Sequence, residues 1–150
     1  MDWCKDMIKD FCTESGVKNV LFIPYAGVSM GYDNYETKVA AVFNDLGLNL
    51  YSIHKEKDAK KAVQDAECIA VGGGNTFHLV YELYRNGIME LISQKVDKGV
   101  AYMGWSAGSN VAGLSLKTTN DMPIIEPESF DCMKLVPFQI NPHYTDFFDP

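Results

Sequence analysis

The chain has 150 residues, of which 47% are hydrophobic and 22% are charged, which is typical of one globular domain and excludes a disordered protein. Its formal net charge of −7 leaves no basic stripe for a phosphate backbone and argues against nucleic acid as the main partner. Apolar runs of only a few residues exclude a membrane span, and the N-terminus lacks the apolar core of a signal peptide, so we expect a cytoplasmic protein.

The predicted elements alternate between amphipathic helices and strands that are apolar throughout. The first helix repeats apolar residues at every third or fourth position from Trp3 to Cys12, and Gly16 ends it. In chain order there follow a strand at 20–23, a helix at 35–46, a strand at 48–53, a helix at 58–66, a strand at 68–71, helices at 77–84 and 88–96, and a strand at 100–103. We interpret a last apolar stretch, 135–140, as a further strand.

Strands that are apolar throughout are buried on both faces, and here they alternate with helices. This pattern predicts an α/β fold with a doubly wound, mostly parallel sheet and helices on both faces. We expect residues 1–150 to form one domain, without repeats or linkers. Because the domain opens with a helix and no element closes it after the last strand, we expect it to lack an N-terminal strand and a C-terminal part.

The four cysteines show no C-x-x-C spacing; they are Cys4, Cys12, Cys68 and Cys132. Neither a zinc knuckle nor a thioredoxin-type motif is therefore present. We expect reduced thiols that pack as small hydrophobic side chains. Histidine and cysteine do not cluster as ligands, so we expect no metal.

One segment has the pattern of a nucleophile elbow, a tight turn between a strand and a helix that presents a reactive serine. Gly104-Trp105-Ser106-Ala107-Gly108 fits the G-x-S-x-G motif and directly follows a predicted strand. The tight turn requires small neighbours and lifts the hydroxyl above the end of the strand. The N–H groups that open the next helix then face whatever the hydroxyl attacks. Ser106 is the candidate nucleophile, and the alternative is a turn that uses glycine for its geometry alone.

A nucleophilic serine needs a base, and the sequence contains three histidines. We expect His54 to be solvated beside a charged loop, and a surface contact with Glu82, one helical turn away, explains His78. His143 follows the last predicted strand at Asn141-Pro142, in a loop position where α/β enzymes place catalytic groups. His143 is therefore the candidate base.

A catalytic triad needs a carboxylate that orients the imidazole. Four acidic residues lie between the candidate nucleophile and the candidate base, namely Asp121, Glu126, Glu128 and Asp131. Their spacing selects none of them. Asp121, in a polar run, is nearest to a loop that can return to the site.

The three glycines Gly72–Gly74 follow a predicted strand and open a helix, so their backbone N–H groups are unobstructed. They can hold an anion or supply a second oxyanion donor opposite Ala107, and Gly74, with Asn75 beside it, is the candidate. The segment is no dinucleotide fingerprint, because Phe77 stands where G-x-G-x-x-G requires glycine. We therefore expect no cofactor.

Five blocks of the sequence resemble peptidase E, the α-aspartyl dipeptidase family of serine peptidases. They occur in order and with family-like spacing from about residue 17 onwards: Phe22–Val28, Val71–Phe77, Gly104–Asn110, Thr118–Ile124 and Gln139–His143. The resemblance implies a flavodoxin-like fold related to class I glutamine amidotransferases. It also implies Ser106 as nucleophile, His143 as base, and dipeptides with an N-terminal aspartate as substrates.

The resemblance further implies a strand before the first helix and a triad glutamate C-terminal to the histidine, and this chain contains neither. Asp121 matches a family aspartate in the site region and is the internal candidate left to orient His143. Missing strands expose sheet edges, which favours association into a homo-oligomer.

Our leading hypothesis is a serine exopeptidase that takes small aspartyl dipeptides, and two alternatives stay open. A carboxylesterase uses the same elbow, and its triad in the order serine, acid, histidine would be satisfied by Asp121. The other alternative is a shortened domain, catalytically weak or inactive, that acts as a binding module.

Overall fold

The structure, a computed structural model, describes residues 4–143. Its helices and strands are α1 (Lys5–Glu14), β1 (Asn19–Ile23), α2 (Tyr32–Asp45), β2 (Asn49–Ser52), α3 (Ala59–Asp65), β3 (Cys68–Val71), α4 (Thr76–Arg85), α5 (Met89–Asp97), β4 (Ala101–Gly104) and α6 (Ala107–Asn110). Two short 3₁₀ helices lie at Ile53–Lys55 and Leu116–Thr118. Within the described range, no helix has the length and apolar character needed to cross a bilayer.

The four strands form one parallel sheet in the order β2-β1-β3-β4. In the pairing of β3 with β4, Val71 lies opposite Gly104. Because parallel strands end at the same edge of a sheet, the segments that follow β3 and β4 begin side by side. The fold thus brings the Gly72–Gly74 turn next to the turn that carries Ser106.

Helices cover both faces of the sheet and enclose two separate cores. Leu21 and Ile23 of β1 belong to the core formed with α3, α4 and α5. Val20 and Phe22 of the same strand belong to the core formed with α1 and α2. Successive side chains of a strand point to opposite faces, so a strand buried on both sides is apolar throughout. The predicted doubly wound α/β sheet is confirmed.

Cys12, Cys68 and Cys132 are buried free thiols, as expected for small hydrophobic side chains. Burial raises the pKa of Cys68 and of Cys132 to about 12. These thiols therefore stay protonated near neutral pH and are poor nucleophiles.

The prediction of a strand at 135–140 is wrong. Within residues 4–143 the segment pairs with no strand, and Phe138 is 56% exposed instead of entering a core. The backbone N–H groups of Leu135 and Val136 both donate to the carbonyl of Ala112, and Pro137 has no N–H to donate. Apolar composition alone indicated the strand, whereas loop contacts take up the backbone groups that a ladder would need.

Leu79 of α4 is fully buried in the core beneath the site, so we expect its truncation to be costly. Leu79→Ala should lower the free energy of unfolding by about 2–5 kcal/mol, through lost burial and the cavity left behind. Met7→Ala, at a side chain that is 67% exposed, is the control and should change it by less than about 0.5 kcal/mol. Urea unfolding measures both values, and equal effects would contradict the burial described.

Candidate active site

The site lies at the edge of the sheet where β3 and β4 end. Ser106 sits in the turn between β4 and α6 with φ 53° and ψ −116°. A non-glycine residue with positive φ is strained by about 1–3 kcal/mol, and such residues persist only where their surroundings hold them. The turn therefore has the backbone geometry that the nucleophile-elbow motif predicts.

Two glycines make this turn sterically feasible. A Cβ on Gly104 would lie 2.4 Å from the carbonyl oxygen of Gly108, and a Cβ on Gly108 would lie 2.1 Å from the carbonyl oxygen of Val71. Both distances are far below van der Waals contact with backbone atoms that cannot move aside. The turn is thus packed against the end of β3, and any side chain at these two positions would push it away.

The structure brings the candidate nucleophile and the candidate base together. Nε2 of His143 lies 2.7 Å from Oγ of Ser106, which is a hydrogen-bonding distance. Ser106 is half-buried and His143 is exposed, so the pair is open to a small substrate. Within residues 4–143, Nδ1 of His143 makes no hydrogen bond.

A buried asparagine, which the sequence reasoning missed, holds the segment that carries His143. Asn110 is 0% exposed, and its Nδ2 donates to Oγ1 of Thr118 (2.8 Å) and to the carbonyl of Ile140 (2.7 Å). The Thr118 hydroxyl donates to the same carbonyl at 2.6 Å. These bonds fix the chain three residues before His143. The available signal was a polar residue directly before the apolar pair Val111-Ala112 in a segment that must be buried.

Asp121 is placed at the start of α4 and not at His143. Its Oδ2 accepts hydrogen bonds from the N–H of Thr76 (2.7 Å), from the hydroxyl of Thr76 (2.7 Å) and from the hydroxyl of Thr119 (3.0 Å). A carboxylate at this end of a helix also interacts favourably with the helix dipole. No hydrogen bond joins Asp121 to His143 among the described residues.

The glycine turn after β3 touches the candidate nucleophile. A Cβ on Gly73 would lie 2.7 Å from Cβ and 3.2 Å from Oγ of Ser106. Gly74 is exposed and has φ 137°, and a Cβ there would lie 2.1 Å from the carbonyl oxygen of Ala26. Within the described chain, the backbone N–H groups of Gly73 and Gly74 have no hydrogen-bond acceptor. The turn can thus supply a donor beside Ser106.

The other two candidate donors differ in their availability. The N–H of Ala107, at the start of α6, has no acceptor within residues 4–143 and can serve an oxyanion. The backbone N–H of Asn75 donates to the carbonyl of Ala26 (2.9 Å), and its Nδ2 donates to the carbonyl of Met122 (2.8 Å). Its Oδ1 accepts from the N–H of His78 as the N-cap of α4. Asn75 thus serves the turn and the helix with every polar group it has.

The prediction that His54 is solvated is wrong, because its side chain is only 14% exposed. Its Nδ1 lies 2.6 Å from Oγ of Ser52 and its Nε2 lies 3.1 Å from Oδ1 of Asp33. Asp33, Glu36 and His54 bring three potential metal-ligand atoms within 4.8 Å of one another. Lys55 forms ion pairs with both carboxylates, so a cation of the chain already neutralises this cluster.

His78 is also placed differently from the expectation. Its Nδ1 lies 2.7 Å from the carbonyl oxygen of Tyr25, and among the described residues no hydrogen bond or ion pair joins it to Glu82. Since a carbonyl only accepts, Nδ1 carries the proton in this bond. The ring anchors α4 to the segment after β1, and it has no hydrogen bond to Ser106 in the described part of the chain.

Comparison with known proteins identifies related sequences. The model of peptidase family S51 matches residues 2–149. A protein named peptidase E from Shewanella sp. (strain W3-18-1) is 57% identical over 130 residues, covering 87% of this chain and 55% of that protein. Another from Shewanella amazonensis is 56% identical over 133 residues, covering 89% and 57% respectively. The chain thus spans about half the length of these curated relatives.

Solved structures agree with this match. A crystal structure of a protein from Listeria monocytogenes EGD-e assigned to peptidase E has a TM-score of 0.78 and 28% identity. The match covers 95% of this chain and 76% of that chain. A crystal structure of a peptidase from an acI-B1 actinobacterium has a TM-score of 0.66 over 97% of this chain and 64% of its own. Because the two sequences are only 18% identical, this match is evidence for the fold alone.

We expect a fluorophosphonate probe to label Ser106, because the hydroxyl is hydrogen-bonded to an imidazole and lies in an open turn. Mass spectrometry of the digested adduct locates the label. Ser106→Ala and His143→Ala should each abolish labelling, while Ser29→Ala, in an exposed loop, should leave it unchanged. A label on another serine would contradict the assignment.

Asp121→Asn tests whether Asp121 orients His143 or anchors α4. We expect the labelling rate to stay within a few-fold, because an amide oxygen can still accept from Thr76 and Thr119. Asp121→Ala should lower the free energy of unfolding by about 1–2 kcal/mol, because the N–H of Thr76 and the hydroxyls of Thr76 and Thr119 lose their acceptor. A fall on the order of 10⁴ in the rate for Asp121→Asn, with unchanged stability, would instead identify a triad carboxylate.

Proposed function

The chain belongs to peptidase family S51, and from this premise we propose that it is a serine exopeptidase that removes an N-terminal aspartate from dipeptides. The observation that carries the proposal is the 2.7 Å contact between Oγ of Ser106 and Nε2 of His143 at a strained strand-helix turn. In this proposal Ser106 is the nucleophile and His143 is the general base.

In the resting state the Ser106 hydroxyl donates to Nε2 of His143, which requires the imidazole proton to be on Nδ1. When the substrate is bound, Oγ forms a bond to the peptide carbonyl carbon while its proton passes to Nε2. The carbonyl electron pair moves onto the oxygen and leaves a tetrahedral oxyanion. The hydrogen bond already present in the free protein aligns this proton transfer.

The oxyanion accepts hydrogen bonds from the N–H of Ala107 and the N–H of Gly74. Support comes from the contact of Gly73, the neighbour of Gly74, with Ser106, and from the absence of an acceptor for the N–H groups of Ala107 and Gly74 within the described residues. Such donors are fixed by backbone before the reaction starts, so they need no reorganisation when charge develops. Removing one such donor typically costs about 10²–10³ in turnover.

Collapse of the tetrahedral intermediate breaks the C–N bond, and Nε2 of His143 returns the proton to the leaving amine. This leaves an aspartyl ester on Ser106. Water then attacks the ester, gives its proton to Nε2 and releases aspartate, and the proton returns to Oγ. No step requires a group beyond the serine, the imidazole, the two N–H donors and water.

The imidazolium formed in each half-reaction has no carboxylate partner among residues 4–143. Without such a partner the imidazole presents the wrong nitrogen part of the time and the charged ring is poorly stabilised. We therefore expect residues 4–143 by themselves to support only slow turnover, below that of a triad enzyme by about 10⁴.

The described residues support the proposed serine-peptidase reaction better than they support a preference for aspartate. A side-chain carboxylate needs a cation or several hydrogen-bond donors. Arg85, the one arginine of the sequence, is at the far end of α4 from Thr76 and pairs with Glu82 at 3.2 Å. The preference for aspartate is proposed from the five motif blocks and is tested separately below.

Neither alternative has an observation that favours it. An esterase with Asp121 as its triad acid would need a hydrogen bond between that carboxylate and His143. The carboxylate accepts hydrogen bonds from Thr76 and Thr119 instead. A binding module would need no strained serine hydrogen-bonded to an exposed histidine.

The 150-residue chain should release aspartate from an aspartyl-leucine dipeptide, slowly, and should leave leucyl-leucine intact. Ser106→Ala should abolish release without unfolding the domain, because one hydroxyl contributes little packing. His143→Ala should cost as much, and the double variant no more, since nucleophile and base act as a unit.

Amino-acid analysis of the products measures each rate, with Ser29→Ala as the control. If His143→Ala only halves the rate, the base is another residue. If the chain hydrolyses acyl esters and no aspartyl peptide, the carboxylesterase hypothesis replaces the proposed dipeptidase function.

A further inference from the structure

Tyr35 of α2 joins the two turns that make the candidate site. Its hydroxyl donates to the carbonyl of Gly73 at 3.0 Å and accepts from Nε1 of Trp105 at 3.1 Å. Trp105 is the residue before the nucleophile, and Gly73 contacts Ser106. One buried hydroxyl therefore connects the turn after β3 to the turn after β4.

The tyrosine ring is held firmly in this position. It is 9% exposed, and a Cβ on Gly27 or Gly72 would lie 2.5 Å or 2.7 Å from its atoms, so both glycines pack directly on the ring. Phe22 meets it edge-on, with ring centroids 5.1 Å apart, and stacks on Trp105 at 5.9 Å. The hydroxyl thus has little freedom to leave Gly73.

The donating direction of the hydroxyl is also fixed. Burial raises the pKa of Tyr35, so the phenol keeps its proton throughout the neutral range. The indole N–H can only donate and a carbonyl can only accept. The hydroxyl must therefore accept from Trp105 and give its own proton to Gly73.

The carbonyl of Gly73 and the N–H of Gly74 belong to one planar peptide unit and point in opposite directions. We infer that Tyr35 is a positioning residue that aims the N–H of Gly74 at the oxyanion, by fixing the carbonyl at the other end of that peptide. The inference deepens the proposed function and rests on it, because it concerns the donor that the proposed reaction uses. Glycine on both sides leaves the peptide free to rotate unless an outside group holds it.

The same hydroxyl couples the two donors. Through Trp105 it is tied to the turn whose next residues are Ser106 and Ala107, and through Gly73 it is tied to Gly74. The spacing between the two N–H groups is thereby set by one hydrogen-bonded chain. A purely structural tyrosine would contribute to stability alone, whereas a positioning tyrosine contributes to the rate at which charge develops on the oxygen.

Tyr35→Phe separates these roles, because it removes the hydroxyl and keeps the ring. The first measurement is the rate of phosphonylation by a fluorophosphonate probe, in which Oγ of Ser106 bonds to phosphorus, fluoride leaves and the proton goes to His143. Negative charge grows on the phosphoryl oxygen, so the rate reports the donors. We expect a fall of about 10- to 100-fold, less than the ~10²–10³ for loss of a whole donor.

The second measurement is the ¹⁵N chemical shift of Gly74, which responds to the hydrogen bond on the carbonyl of the same peptide and needs no activity. It should move in Tyr35→Phe, while that of Gly47, in a remote turn, should not. Tyr51→Phe is the matched control, since its hydroxyl has no hydrogen bond within the described residues, and it should change neither readout.

The outcomes distinguish the inference from the proposed function. An unchanged phosphonylation rate in Tyr35→Phe, or an unmoved Gly74 resonance, overturns the inference while the wild-type reactivity upholds the function. A wild-type chain that neither reacts with the probe nor hydrolyses dipeptides overturns the proposed function. The Gly74 shift then still decides whether Tyr35 orients that peptide. If the wild-type chain hydrolyses dipeptides, Tyr35→Phe should lower kcat and leave KM within a factor of about two.

Discussion

The close packing of the turn after β4 against the end of β3 is the constraint on which the rest of the site depends. Carbonyl oxygens occupy the space that side chains at Gly104 and Gly108 would need. In this tight turn Ser106 is held at φ 53°, and its hydroxyl lies 2.7 Å from Nε2 of His143. The strain is sustained by fully buried strand β3 underneath and by the anchored segments on either side.

Much of this arrangement can be predicted from local patterns in the sequence. The strands of a doubly wound sheet are apolar throughout, and Cys68–Val71, buried at every position, shows that pattern plainly. The nucleophile elbow can also be predicted from a local pattern, because a reactive serine in a tight turn needs small residues at fixed spacing. His143 could be named as the candidate base from its loop position and the resemblance of its motif, and the fold brings it to Ser106.

What the sequence could not predict are hydrogen bonds between residues far apart in the chain. Asn110 and Thr118 donate to the carbonyl of Ile140, so the apolar stretch 135–140 ends in side-chain contacts and not in a strand ladder. Asp121 was a candidate for His143, yet its carboxylate serves the N-terminus of α4, a role that depends on which helix end lies nearby. Tyr35 gave no signal, because its polar contacts lie 38 and 70 residues away.

The central claim is that backbone donors from the two turns converge on an oxygen held at Ser106. A crystal structure of the phosphonylated chain tests it most directly, since the adduct resembles the tetrahedral intermediate. The account predicts the phosphoryl oxygen at about 2.7–3.1 Å from the backbone nitrogens of both Ala107 and Gly74, with Ser106 still at positive φ. A phosphoryl oxygen directed to solvent, or a Ser106 relaxed to negative φ, would contradict it.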